Sequence, residues 1–357
     1  MEKIILEDGC KYTGALKNKV PEGYGILEYK DKSNYKGHFK SGQRQGNGTL
    51  SLPNGESYSG SWDQDLKHGY GVERLVCGSV YKGQFFKGTK QGRGCIYWAN
   101  GEEYSGEWHN NLPQGKGKLK RSQYLCKGNF FAGKPQGVCE IHWKKGAVFK
   151  GELSQGKLVK GIYTYRGGSW YKGTFEEDLP EGQGELFTSK WTYKGSFKMG
   201  KREGQGVMTL NSGVTYEGSW QNNSLKGQAK IVYSDQSYYE GEVDNFKPVG
   251  QGTMWYSNGD FYEGNWDQGK KHGKGSFMSL EGWKYYGEWE NDEKQGFGHF
   301  LLNKTPEEFE VYEGEWKHNA KDGFGKVTYY EKGKKLYSVS GEWQNGDLVK
   351  QDKIFDI

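Results

Sequence analysis

The side chains that could do chemistry in this chain are seven histidines, runs of acids such as Glu102-Glu103 and Glu176-Glu177-Asp178, and five cysteines. General acid–base work needs two groups converging on one bond. Neighbours along a strand point to opposite faces, so these acid runs make poor dyads. The histidines have no repeated partner. Lys67-His68-Gly69 and Lys271-His272-Gly273 occupy the same hairpin-loop position and read as solvated turns. Gly269-Lys-Lys-His-Gly273-Lys-Gly-Ser276 has the superficial look of a phosphate loop. Its spacing is wrong, no helix follows, and the same glycine pattern recurs along the chain. Cys10, Cys77, Cys95, Cys126 and Cys139 lie far apart with no Cys-x-x-Cys pair, which predicts neither a zinc site nor a disulfide framework. Free thiols in a reducing compartment are expected. Asn222-Asn223-Ser224 fits a glycosylation pattern, but nothing at Met1 to Asp8 reads as a secretion leader. The expectation is a protein that is not an enzyme, with no catalytic residue, no cofactor and no metal.

Charge is the more informative chemistry. The net charge is +5, yet residues 1–200 carry 31 basic against 20 acidic side chains and the remainder 19 against 25. The densest basic stretch holds Lys116, Lys118, Lys120, Arg121, Lys127, Lys134, Lys144, Lys145 and Lys150, and continues to Lys157 and Lys160. Only Glu140 and Glu152 oppose it. Lys116, Lys118 and Lys120 alternate along one strand face, so their charges add. Two readings stand side by side: a solvated outer face, or a docking patch for something acidic such as phosphoinositide head groups, acidic tubulin tails or an acidic region of a partner. Nucleic acid is not expected at a pI of about 8.6. No segment has the length of a membrane span. The charge asymmetry favours antiparallel pairing of two copies, a homodimer.

The elements that must carry these residues are set by repetition. An aromatic, any residue, Gly, any residue and a second aromatic recur fifteen times. Tyr12, Tyr35, Tyr58, Tyr81 and Tyr104 open the first copies, 23 residues apart. Weaker openings fall at Cys126 and Phe149, and Tyr171 to Tyr312 restore the pattern before Val339 opens the last copy. A period in this range means a solenoid or array. The apolar fraction is only 33%, whereas aromatics reach 16% and Gly numbers 58. That composition predicts a thin layer of rings on bare backbone, and neither a thick core nor disorder.

In the copy at Tyr58, Gly55 to Trp62 alternates large and small residues, as does Gly69 to Leu75, and Asp63 to His68 is polar. Two strands and a loop make a hairpin. Asn54-Gly55, Asn100-Gly101 and Asn258-Gly259 predict tight primed turns between repeats. The Tyr, the Gly two later and the Trp four later share a face with a later Gly-x-Gly pair. Each ring is expected to lie flat on glycine of the neighbouring repeat. Stability then comes from stacking, because one hairpin alone is marginal.

These phrases resemble MORN repeats, the membrane occupation and recognition nexus motif. The resemblance is carried by Tyr58, Gly60 and Trp62; by Tyr104, Gly106 and Trp108 with Gly115 and Gly117; by Tyr262, Gly264 and Trp266; and by Tyr312, Gly314 and Trp316. It covers nearly the whole chain. Departures fall at Cys139, Leu153, Gly161 and Ala229, and two late turns near Thr305-Pro306 and Glu331 to Lys335 look longer.

The fold class expected is all-β, an elongated, twisted ribbon or solenoid of consecutive antiparallel β-hairpins, about fifteen MORN repeats. It would be one array over 1–357, with a capping strand in 1–9, repeats over 12–338 that degenerate across 126–165, and a partial last repeat and tail over 339–357. The resemblance implies a non-enzymatic scaffold for protein–protein assembly. Chains built almost wholly of such repeats resemble radial-spoke components of the ciliary axoneme and protist cytoskeletal scaffolds, which implies a cytoplasmic, cytoskeletal location. The alternative is a peripheral membrane protein that binds anionic lipid through the basic stretch.

Overall fold

In the computed structural model, residues 2–356 are described, and every regular element among them is a β-strand. The strands run from β1 (Glu2–Ile5) to β31 (Asp347–Asp356), numbered in chain order. They divide into two units, residues 1–179 and 180–357. The first holds β1 to β16 (Trp170–Glu176) and the second β17 (Leu179–Phe187) to β31. Within each unit a strand pairs antiparallel with its chain neighbours, as in an all-β hairpin solenoid.

The repeat at Tyr58 shows how the sequence does this. Strands β6 (Ser57–Asp63) and β7 (Leu66–Arg74) are joined by Gln64 and Asp65 alone. Both have positive φ, 45° and 65°, as a two-residue primed turn requires. The tight turn is therefore inside the repeat, not between repeats as the Asn-Gly pairs suggested. Asn18-Lys19, Asn110-Asn111 and Asn291-Asp292 repeat it. Between repeats a single residue is left-handed, Gly at most turns and Lys32 or Gln236 at two of them: Gly55 has φ 88°, its N–H donates to Leu52, and the Asn54 carboxamide accepts from Glu56 N–H. That is a wider turn, with the Asn acting as an Asx cap. His68 consequently lies in β7, half-buried, and His272 in β25 (Lys270–Met278), so neither is a loop residue.

The glycines divide the labour differently from expectation. Gly60 faces Gly71 across β6 and β7, and both support the Tyr58 ring of their own hairpin. A Cβ on Gly60 would lie 2.5 Å from Gly71 Cα, and one on Gly71 would enter the ring. The first glycine of the later pair, Gly69 with φ 58°, does a separate job: it forms the bulge where register shifts after Gly60. The ring does not lie on the neighbouring repeat; the tryptophan makes that link.

The degenerate repeats keep the pattern by substitution. In most repeats the Tyr hydroxyl donates to a carbonyl three residues on, as Tyr58 does to Ser61 at 2.9 Å and also to His68 at 3.3 Å. Cys126 has no ring to fill that space. Instead, the thiol of Cys139 donates to the equivalent carbonyls of Asn129 and Gln136, at 3.5 and 3.9 Å. Opposite Cys139 and Ala229, Gly128 and Gly218 move to φ 154° and 155°. Phe149 retains a glycine bed in Gly161 but has no hydroxyl.

The late repeats are longer because their strands are longer. β28 (Glu308–Lys317), β29 (Ala320–Glu331) and β30 (Lys334–Gln344) hold 10, 12 and 11 residues. Lys332-Gly333 is an ordinary two-residue turn with φ 50° and 77°. The last copy also has its second strand: β31 pairs with β30, Val339 opposite Ile354. Ile357, part of the expected tail, lies outside the described residues. At the other end Ile4 pairs with Tyr12.

Candidate interaction faces

One sheet face is a zipper of rings. Tyr58 meets Trp62 edge-on at 5.0 Å within its repeat, and Phe85 of the next repeat at 5.0 Å. Tyr35 meets Trp62 at 5.4 Å in the same way. Each such edge-to-face pair contributes about 0.5–1.5 kcal/mol beyond its buried area. Trp62 also donates its indole N–H to Gly48 of the preceding hairpin at 3.1 Å. The rings at Tyr58, Tyr104, Tyr262 and Tyr312 are at most 1% exposed, so they hold the fold and are closed to partners.

What remains reachable on this face is a row that sequence reading missed. The second residue after the within-repeat turn, in the second strand, is Pro or Leu in some repeats and a cation in others. In the first unit the cations are neutralised. Arg44 lies 4.2 Å over Trp62 and bonds Asp65 at 2.9 Å. Lys67 and Lys90 both bond Glu73, Lys90 at 2.8 Å. Burial works to raise the Glu73 carboxyl, but the two ammoniums outweigh it and hold it below its usual value. In the second unit Lys271, Lys294 and Lys321 take the same place over rings. No carboxylate among the described residues forms an ion pair with any of the three. Burial pushes Lys294 down to about 8, and Lys271 and Lys321 push it in the same direction. The signal for this row was present in the sequence as the second residue after the turn, but its meaning depends on the turn position that the Asn-Gly pairs obscured.

The opposite face carries part of the basic stretch. Lys118 pairs with Lys127, Lys127 with Glu140, and Glu140 with Lys150, forming one row across β11 (Leu112–Lys120) to β14 (Val148–Ser154). Lys116 and Lys120 share this face by alternation. Glu140 is more central than its lone appearance suggested. Lys150 at 3.1 Å, and His142 after it, hold its carboxyl below the usual value. Arg121 does not belong to this row. It points to the aromatic face, over Trp98 at 5.5 Å, and is paired with Glu102. Lys144 and Lys145 sit in the turn after Trp143, whereas Lys134 starts β13 (Lys134–Trp143) at the other edge, beside the Ala132-Gly133 turn. The nine basic positions therefore form a strand-face row of five, an inter-repeat edge pair and two outliers, Arg121 on the aromatic face and Lys134 at the opposite edge. A shallow cleft at that edge is lined by Lys118, Lys120, Arg121, His142 and Lys144.

Among the described residues, no group of three or more His, Cys, Asp or Glu is placed to hold a metal ion. Likewise, no helix among them is long and apolar enough to cross a membrane.

The sequence profile of the MORN repeat matches thirteen stretches, the first at 12–33 and the last at 312–334. Together they span most of the chain, which belongs to the MORN-repeat family, a structural repeat. The copies opening at Phe149 and Val339 lie outside the matches. No curated protein matches the chain. Among solved structures, similarity is found to the TCP domain of Drosophila melanogaster SAS-4 bound to a proline-rich motif of Ana2. It has 10% identity and a TM-score of 0.16, covering 64% of this chain and 87% of that one. A catalytically inactive virginiamycin B lyase from Staphylococcus aureus with quinupristin has 12% identity and a TM-score of 0.12, covering 91% and 97%. At these scores neither likeness informs fold or function.

Proposed function

We propose that this chain is a non-enzymatic scaffold whose strand faces hold partner proteins at fixed intervals, in a cytoskeletal assembly such as the ciliary axoneme. The observation that carries the reading is the closure of its aromatic interior. The rings and glycines are consumed by packing, and the charged side chains that vary from repeat to repeat lie on the two sheet faces and in the turns at their edges. Such a molecule offers partners a repeated surface in place of a pocket. The ciliary setting rests on family analogy alone. Native mass measurement of the tagged chain purified from its own cells tests it. A complex of fixed stoichiometry is expected, and recovery as a bare monomer would refute the scaffold.

A second reading rests on Lys118 and Lys127. Two like charges directly opposite on a sheet destabilise it by a few tenths of a kcal/mol or more, so their persistence suits a surface that meets an anionic partner. Flotation with vesicles containing phosphoinositide, at low and high salt, separates this from the scaffold. Binding at low salt that is lost on changing Lys116, Lys118, Lys120 and Lys127 to Gln supports it. Absence of binding at low salt ends it.

A further inference from the structure

We propose that the aromatic face of the second unit is a docking track for an extended acidic peptide segment of a partner protein, gripped by Lys271, Lys294 and Lys321. The inference rests on the scaffold reading and specifies its ligand. Its starting point is the contrast between equivalent positions. Where Arg44, Lys67 and Lys90 occupy this site, the chain provides Asp65 or Glu73 as counter-charge. Where Lys271, Lys294 and Lys321 occupy it, rings enclose each ammonium and none forms an ion pair, although Asp292 and Glu310 lie near enough to favour the charges of Lys271 and Lys321.

Lys294 is enclosed most fully. Its ammonium lies 4.7 Å from Trp283, 5.1 Å from Tyr285, 4.8 Å from Phe300 and 4.9 Å from Trp316. Lys271 lies 4.6 Å from Trp289, and Lys321 lies 4.8 Å from Trp343. Ring quadrupoles recover part of the lost hydration, but a cation–π contact is worth only about 0.5–2 kcal/mol. Three cations held in a half-buried row without an ion pair are incompletely solvated, and Lys294 between the other two is repelled by both. An incoming carboxylate relieves both effects. The nearby acids reach only the ends of the row: Glu310 bonds Lys304 at 3.0 Å and favours the Lys321 charge at longer range, Asp292 accepts the Lys271 backbone N–H at 2.9 Å and favours the Lys271 charge, and neither acts on Lys294.

The spacing selects the occupant. Equivalent positions in successive repeats are two strands apart, about 10 Å. Three residues of extended chain also span about 10 Å. A peptide crossing the strands with a carboxylate at every third residue meets each lysine in turn, and its intervening side chains lie on the flanking rings. A bilayer surface does not fit, because all three lysines are half-buried among rings rather than projecting from the sheet.

The test uses the full chain and a fluorescent peptide of about 16 residues with Glu at every third position, long enough to cross three repeats. Anisotropy should report binding that weakens with salt. Changing Lys271, Lys294 and Lys321 together to Met should reduce affinity by about tenfold or more, while changing Lys116, Lys118 and Lys127 to Gln leaves it intact. Carbodiimide coupling followed by peptide mapping reads the same contact in the unaltered chain, so a misfolded variant does not spoil the answer. Crosslinks at the three half-buried lysines support the track. Crosslinks confined to Lys116–Lys150, or no peptide binding, overturn it. A chain that still recovers its cellular partner while failing the peptide test keeps the scaffold reading and loses this one.

Discussion

The indole N–H of Trp62 donates to the carbonyl of Gly48 at 3.1 Å, tying one hairpin to the one before it. Trp108, Trp220, Trp266 and Trp289 repeat the bond to Gly94, Gly206, Gly252 and Gly275 at 2.9–3.2 Å. Trp316 and Trp343 do not: their indole nitrogens are buried without a partner. Trp62→Phe should therefore cost the bond, about 1 kcal/mol, on top of lost ring area. Trp316→Phe removes an unsatisfied donor and should cost less. Urea unfolding of the two variants checks the ordering, and equal losses would contradict it.

Gly71→Ala forces a methyl into the Tyr58 ring and should destabilise the β6–β7 hairpin by about 1–3 kcal/mol. A Cβ on Gly167 would meet nothing within 4 Å, and its φ is not in the left-handed range, so Gly167→Ala should be near neutral. Hydrogen exchange of the amides around each site measures the difference.

Cys126 and Cys139 jointly replace one tyrosine and one glycine. Cys126→Tyr alone puts a ring where the Cys139 side chain sits, and Cys139→Gly alone leaves a void. The double variant restores the common repeat. A double-mutant cycle should give a favourable coupling of about 0.5–3 kcal/mol; additive effects would show that the thiol does not stand in for the hydroxyl. Burial pushes the Cys126 thiol up to about 12, so it should resist alkylation at neutral pH far longer than exposed Cys77.

Lys294 titrates near 8 in the folded chain, below its ordinary 10.5. Between those values the unfolded chain holds a proton that the folded chain has released, so stability rises with pH across this window. At lower pH the charged form is present in both states and the folded one carries the penalty. Lys294→Met should be more stable than wild type near pH 7, with the gap narrowing toward pH 10. Above about pH 10 the raised tyrosines, such as Tyr312 at about 12, favour unfolding, so the comparison belongs below that point. A gap that does not change with pH would remove the unfavourable charge from the account.

Much of the fold was legible because its cause is local. The Tyr-x-Gly-x-aromatic phrase fixes strand alternation, and a glycine opposite each ring follows from sterics. The turns were misplaced because Asn-Gly is a strong sign of a primed turn, yet Gln64-Asp65 and Asn110-Asn111 adopt that shape in this chain. That error hid the cation row, since Lys67 and Lys271 were assigned to loops when each is the second residue of a strand. The basic stretch was visible as composition, but its division was not. Arg121 and Lys120 are adjacent in sequence and on opposite faces in the sheet, and Glu140 acquires its place only when β12 (Tyr124–Phe131) and β14 flank it.

The most direct measurement of the central claim is quantitative mass spectrometry of the tagged chain recovered from its own cells, wild type beside the Lys271, Lys294 and Lys321 to Met variant. Wild type should carry a partner protein at a fixed ratio. In the variant this ratio should collapse while the chain itself remains folded. A lone chain in both samples would contradict the scaffold, and an unchanged ratio in the variant would move the contact away from the lysine row.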